Sequence, residues 1–338
     1  MSDKIKWGIL AAGNIARKFA GDLEHAKKGE FYAIGSRSLE KAEQFCTDFN
    51  GTKAYGSYDE LLADPDVDAI YISLPNHMHL EWTTRCAEAG KAILCEKPLT
   101  SNAAEAVKLF EACKANNAFM LEAFMYRCHP QTAKLKELLR NSVIGDVRMI
   151  QAHFSYNMGL DLDNIRLRND AAGGAIMDVG CYCVSMTRLV AGAALGLDHP
   201  AEPIEFHGVA HIGDESRVDE YATAVLKFDG NILANLTTGS QVSVDGALRI
   251  WGTDGHIIVP NPWFPGNECI IEVHRNNEDV EEVKITIDLP LYAIEADIVA
   301  DEMHGLEASP MTWNDSLGNM KTLDAWRQSV GLVFDLEK

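Results

Sequence analysis

Two stretches carry side chains able to move a proton. The first is Ala92-Ile93-Leu94-Cys95-Glu96-Lys97-Pro98-Leu99. An apolar run that reads as a buried strand empties into Glu96-Lys97-Pro98, where the proline removes a backbone donor and biases Lys97 toward extended geometry. A lysine leaving the carboxyl end of a buried strand stands where ligands bind in an open α/β sheet. The same tripeptide also reads as a surface salt bridge followed by a loop proline. The second stretch is Gly173-Gly174-Ala175-Ile176-Met177-Asp178-Val179-Gly180-Cys181-Tyr182. A helix runs on from Gly180 toward Val190, and Asp178 and Tyr182 share one face of it if it begins early. An Asp–Tyr pair at this spacing is commonly structural. A phenol near a lysine is also an acid–base arrangement, because the ammonium favours the phenolate.

The elements that must position these groups begin at the N-terminus. Lys4–Leu10 reads as a strand, and Ala11-Ala12-Gly13-Asn14-Ile15-Ala16 turns it into an amphipathic helix toward His25. That is the shape of a phosphate-binding turn, with Gly13 where a backbone must approach a pyrophosphate and the helix N-terminus supplying unpaired amides. Alanines stand at both outer positions of the fingerprint, and a strand–glycine–helix junction is as often structural as nucleotide-binding. The second strand, Phe31–Gly35, ends at Ser36-Arg37-Ser38. NAD binders place an acidic residue there for the ribose hydroxyls. This chain has none; Ser36, Arg37 and Lys41 can instead meet a 2′-phosphate, so NADP is expected over NAD. Further strands follow at Asp68–Ser73, Ala92–Cys95 and Phe119–Ala123, separated by helices at Leu39–Phe49, His79–Ala89 and Ser101–Asn116, with a short helix through Leu61 and Leu62. The alternation predicts a doubly wound parallel sheet. His77 and His79 lack a nearby third ligand, so the loop Ser73–His79 is expected to face the cofactor and no metal site is expected.

The pattern changes after residue 124. Phe124–Pro130 is a crossing segment, Gln131–Asn141 a helix and Val147–Phe154 an alternating strand. Strands are then expected at 204–211, 221–228, 232–238, 248–252, 256–259, 270–274 and 283–287, with turns at Asp229-Gly230 and Asp254-Gly255. This predicts an α+β second domain (125–338) around a large, mostly antiparallel open sheet, after a dinucleotide-binding domain (1–124). Helices at Leu291–His304 and Asn314–Phe334 close the chain, the last packing back on the body. A symmetric partner is expected over the open sheet face, as homodimer or homotetramer.

The chain has 338 residues, 47% hydrophobic and 24% charged, with a net charge of −20. That charge argues against nucleic acid or an anionic membrane as partner. The eight cysteines are scattered, as reduced core thiols would be. No charged-then-apolar leader follows Met1-Ser2-Asp3-Lys4 and no apolar run of about 18 residues is expected to span a membrane, so a cytoplasmic protein is expected.

Taken together, Ala11–Ala16, Pro75-Asn76-His77-Met78-His79, Cys95-Glu96-Lys97-Pro98-Leu99 and Gly173–Gly180 resemble the glucose–fructose oxidoreductase, inositol dehydrogenase and related sugar dehydrogenase family over nearly the whole chain. Tyr182, with Lys53–Tyr58 and Glu122–Arg127, is similar to the dimeric dihydrodiol and NADP-dependent D-xylose dehydrogenase branch. The resemblance implies that Ala12, Gly13, Asn14 and Ile15 face the pyrophosphate and Ser36, Arg37 and Lys41 the 2′-phosphate. It implies that Ser73, Leu74, Pro75, Asn76 and His79 line the cofactor, with Glu96 and Lys97 near the nicotinamide ribose and Arg166 and Tyr292 as looser contacts. Tyr182 would be the acid–base, Lys97 its support, and Asp178 would orient substrate or phenol. The implied activity is NADP-dependent oxidation of a small sugar such as D-xylose or D-glucose to its lactone. The alternatives are trans-dihydrodiol oxidation, reduction of a dicarbonyl sugar of the anhydrofructose type, and a non-catalytic NADP sensor.

Overall fold

The computed structural model describes residues 4–338; the expectation concerning Met1-Ser2-Asp3 lies outside the described residues. The chain divides into two compact units. The first comprises Met1–His129 and Asp288–Ser316, the second Pro130–Ile287 and Leu317–Lys338. The division is therefore discontinuous, whereas the sequence reading has a single crossing at residue 124.

The first unit holds a six-stranded parallel sheet: β1 (Ile5–Leu10), β2 (Gly29–Gly35), β3 (Lys53–Tyr55), β4 (Ala69–Ile72), β5 (Ala92–Glu96) and β6 (Met120–Ala123), in the order β3-β2-β1-β4-β5-β6. β4, β5 and β6 are buried at every position, because helices cover both faces of a parallel sheet. β3 is an addition to the expected set; three half-buried residues on the edge carry too little periodicity to be read. The strand order reverses between β1 and β4, whose carboxyl ends open at the switch point. The helix Leu291–Glu302 belongs to this unit and packs on Asn14–Leu23 and on a helical turn at Met125–Cys128.

The second unit is built on an eight-stranded sheet of β7 (Val147–Ser155), β8 (Glu205–Ile212), β9 (Asp219–Phe228), β10 (Ile232–Gly239), β11 (Leu248–Gly252), β12 (Gly255–Val259), β13 (Glu268–Arg275) and β14 (Glu281–Thr286), in the order β14-β13-β12-β11-β7-β10-β9-β8. Every pairing is antiparallel except β7 with β10. Burial alternates along these strands, as two-faced sheets require. The covered face packs on the helix Cys181–Ala194, which is buried along almost its whole length. Asn169–Ala194 is in fact long and apolar enough to cross a membrane by composition, contrary to expectation, but 94% of that window is buried inside the protein, as a core helix would be. On the other face Met149, Val225 and Leu233 are about half exposed and Val209 is 67% exposed.

Leu94, at the centre of β5, is wholly buried. Leu94→Ala is expected to cost about 2–5 kcal/mol and lower the thermal midpoint by about 5 °C or more. An unchanged midpoint would contradict a strand packed on both faces.

Candidate active site

In the first unit the expected residues gather at the carboxyl edge of four neighbouring strands. After β1, Ala11 takes a φ of 74°, in the left-handed region where a glycine would be unstrained. The chain then enters the helix Asn14–Leu23 with Gly13 as its N-cap, no side chain capping it and no acidic residue in its first turn. A Cβ at Gly13 would meet nothing within 4 Å, so the approach to the free amides is open. Ala12 to Ile15 are at least partly exposed, and Ala16 is packed at the helix–sheet contact. An uncapped helix start with positive partial charge fits a pyrophosphate.

After β2, Ser36 is buried and its Oγ accepts from Ser38 N–H at 3.3 Å. Arg37 is exposed, with its guanidinium against the Tyr58 hydroxyl, and Lys41 lies exposed one turn into the next helix. With no acidic residue at the strand end itself, Ser36-Arg37-Ser38, and with Glu40 one position before Lys41, the donors Ser36 and Arg37 suit a phosphate better than a pair of ribose hydroxyls.

After β4, Ser73 Oγ donates to Leu10 O at 2.8 Å and ties this strand end to that of β1. Leu74 is buried, and Pro75 and Asn76 are partly exposed ahead of a short 3₁₀ turn, Asn76–Met78. His79 is fully buried; its Nε2 lies 2.8 Å from Leu74 O and its Nδ1 3.0 Å from Pro98 O. It braces two loops, which corrects the expectation that it lines the cofactor directly. Burial pushes its imidazole down toward the neutral form.

At the end of β5, Glu96 accepts from the buried Tyr71 hydroxyl and, at 3.3 Å, from the Lys97 amide. The Lys97–Pro98 peptide is cis, and Lys97 is the partly exposed residue of the turn. Glu122 on β6 accepts from Leu99 N–H at 2.9 Å, and burial pushes its carboxyl up to about 8. Close to Glu96 lies Glu295, wholly buried; burial first, then the charge of Glu96, holds its carboxyl well above the usual carboxylate range. Tyr292 is also buried, its amide bonded to Asp22 at 3.2 Å and its phenol raised by burial and then by Glu96. It stands inside the unit behind the strand edge.

In the second unit Asp178 lies in a π-helical turn, Ile176–Gly180, and Tyr182 in the first turn of the α-helix Cys181–Ala194. The wider turn replaces the regular helix expected to put the two on one face; single π turns recur at functional sites. Asp178 accepts from the Tyr156 hydroxyl and pairs with Arg166 Nε at 3.1 Å. Burial, followed by the Asp178 charge, raises the Tyr156 phenol, which keeps it a donor. Arg166, expected at the cofactor, thus has Asp178 as its ion-pair partner.

Tyr182 is 4% exposed and sits in an aromatic wall. Phe154 meets it edge-on at 5.2 Å and Trp263 at 6.1 Å, while Phe154 and Trp263 stack at 5.5 Å. Trp263 Nε1 donates to His153 O at 2.9 Å, and Phe264, 48% exposed, extends the wall. Sequence reading missed Tyr156, Phe154, Trp263 and Phe264. The one available signal was Pro262-Trp263-Phe264-Pro265, two aromatics between prolines in a chain with few tryptophans.

Residues 5–124 match the model of an oxidoreductase family with an NAD-binding Rossmann fold, GFO_IDH_MocA, and residues 132–258 match the GFO/IDH/MocA C-terminal domain. The trans-1,2-dihydrobenzene-1,2-diol dehydrogenase of Xenopus tropicalis is 34% identical over 81% of each chain. The D-xylose 1-dehydrogenase (NADP(+)) 2 of Haloferax volcanii is 32% identical over 96% of each. Among solved structures, a 3-ketoreductase from Actinomadura kijaniata in complex with NADP and TDP-benzene superposes with a TM-score of 0.85 at 27% identity, covering 97% of this chain and 98% of that one. The chain belongs to the GFO/IDH/MocA oxidoreductase family and is an NAD(P)-dependent dehydrogenase or reductase.

Proposed function

We propose that the chain oxidises a small aldose, such as D-xylose or D-glucose, at its anomeric carbon to the lactone, with NADP as the acceptor. The observation that carries this reading is Asp178, held by Tyr156 and Arg166, just ahead of Tyr182 in one continuous helical segment. The xylose dehydrogenase of Haloferax volcanii, similar over nearly the whole chain, supports it.

Ala12 to Ile15 would hold the pyrophosphate, Ser36, Arg37 and Lys41 the 2′-phosphate, and the loop after β4 the nicotinamide end. Bound NADP supplies a hydride acceptor. Tyr182 takes the proton of the substrate hydroxyl, in surroundings poor in water that strengthen the electrostatic work of its neighbours. Lys97 supplies the positive charge that favours the phenolate, and Asp178 orients the hydroxyl. Phe264, the half-exposed ring at the end of the aromatic wall, suits the C–H face of a sugar ring, and it suits the ring of a trans-dihydrodiol equally well. That wall favours a second reading, in line with the frog relative: oxidation of a cyclic trans-diol by the same residues.

Aldoses, trans-diols and dicarbonyl sugars screened with NADP and NADPH, read at the absorbance of the reduced cofactor, are expected to give turnover with an aldose. Tight NADP binding without turnover across the screen would point to a sensor. With the best substrate, Lys97→Ala and Tyr182→Phe are each expected to lower kcat by at least ~100-fold, the size of a lost acid–base contribution. Near-normal turnover in both would remove them from the mechanism.

Arg37→Asp is expected to raise the Kd for NADP at least ~10-fold and to favour NAD, since it replaces a phosphate donor by a carboxylate. A native preference for NAD would overturn the assignment of Ser36, Arg37 and Lys41.

The half-exposed apolar side chains of β7, β9 and β10, among which Met149 and Leu233 are register partners, suit a second copy of the chain. Light scattering is expected to give a dimer or tetramer, and Leu233→Glu to shift the mass toward the monomer. A native monomer at micromolar concentration would exclude this.

A further inference from the structure

The π turn that carries Asp178 is held from outside. Asp219 Oδ2, at the start of β9, accepts from Ile176 N–H at 2.7 Å, and Thr238 Oγ1, on the neighbouring β10, donates to Ala175 O at 3.0 Å. These are the two polar atoms of one peptide group. Both side chains are wholly buried. Gly174, just before the clamp, has a φ of 106°, and a Cβ there would stand 2.2 Å from Asp219 Oδ1. The glycine is thus what lets the carboxyl group reach the peptide. The Thr238 methyl also lies 3.4 Å from where a Cβ of Gly180 would stand, so the same strand abuts the far end of the turn.

A π turn holds one residue more than an α turn and is seldom stable by itself. Slipping to α geometry would rotate Asp178 about the helix axis relative to Tyr182. Holding the Ala175–Ile176 peptide on both sides opposes that slip at its origin. From this geometry we infer that Asp219 and Thr238 are positioning residues for the reaction: by fixing one peptide plane they set the register in which Asp178 and Tyr182 are presented. The inference rests on the roles given to Asp178 and Tyr182 above. A misplacement of about 1 Å in such a group is enough to cost on the order of 100-fold in rate. Burial pushes the Asp219 carboxyl up to about 8, so the acid is mostly uncharged near neutral pH and asparagine reproduces its shape and its acceptor.

The test uses four variants of the full chain, Thr238→Val, Thr238→Ser, Asp219→Ala and Asp219→Asn, with the best substrate of the screen and NADP. Thr238→Val and Asp219→Ala are expected to lower kcat by about 10- to 100-fold with the KM and Kd for NADP unchanged. Thr238→Ser and Asp219→Asn, which keep the hydroxyl and the acceptor, are expected to restore most of it. Hydrogen exchange across residues 173–182, read by mass spectrometry without substrate, is expected to quicken in the first pair and not in the second. In a Tyr182→Phe background, Thr238→Val is expected to add little further loss, because it acts through the phenol. Wild-type kcat in Thr238→Val and Asp219→Ala, equal losses in the conservative and the disruptive variants, or full additivity with Tyr182→Phe would each overturn the clamp. Failure of the underlying reading shows separately, as near-normal turnover of Tyr182→Phe alone.

Discussion

The turn Glu96-Lys97-Pro98-Leu99 is fixed because buried polar groups must be paired. Three buried side chains from three elements meet its backbone: Glu96 takes the Lys97 amide, His79 faces the Pro98 carbonyl and Glu122 takes the Leu99 amide. A buried group left without such a partner costs about 1–3 kcal/mol, so each bond is better described as a penalty avoided than as a gain. The result is a strand end that cannot relax toward solvent. His79 couples it to the loop after β4, and Ser73 couples that loop to β1, so three strand ends are tied into one rim. On that rim Lys97 is partly exposed while Glu96 and Pro98 on either side are buried. The ammonium stands on a frame held by buried hydrogen bonds from three elements.

The second unit solves a similar problem by different means. Its alternating strands leave side chains on both sheet faces, and the covered face offers Asp219 and Thr238 to the start of one helical segment. Asp178, further along it, is met by Tyr156 from just beyond β7 and by Arg166 from a 3₁₀ turn. A carboxylate held by a phenol and a guanidinium keeps its direction. Tyr182 has instead an apolar wall, whose tryptophan is itself anchored by a backbone carbonyl. The polar group is oriented by bonds and the phenol by packing.

Most of this frame was legible in the residues. Gly13 between alanines, the acid-free end of β2 and the Glu96-Lys97-Pro98 exit are local signals, and local signals survive in a single sequence. Alternation fixed seven later strands closely, because a two-faced sheet imposes period two. What escaped depended on partners far along the chain. Glu122 looks like a strand residue until Leu99 is beside it, and His79 looks like a ligand until both ring nitrogens are seen to face carbonyls. The π turn is invisible because its sequence differs from that of an α-helix only through what holds it. The return of Asp288–Ser316 to the first unit is likewise a tertiary choice that no periodicity records.

The chain's charge makes its cofactor site a local rather than a global achievement. With a net charge of −20 the surface repels a dinucleotide carrying several phosphate charges. At physiological ionic strength that repulsion is screened beyond about 8 Å, so what matters is the sign of the groups within that distance. The helix after Gly13 has no acidic residue in its first turn, whereas the helix after Ser38 carries Glu40 there. Acid is kept from the helix start that fits the pyrophosphate. Arg17 and Lys18, further along the first helix, are already paired to Asp48 and Asp22 and add little net field. On the proposed assignment, affinity would come from short hydrogen bonds of backbone amides, Ser36 and Arg37, supported by the held shape of the turn and not by long-range attraction.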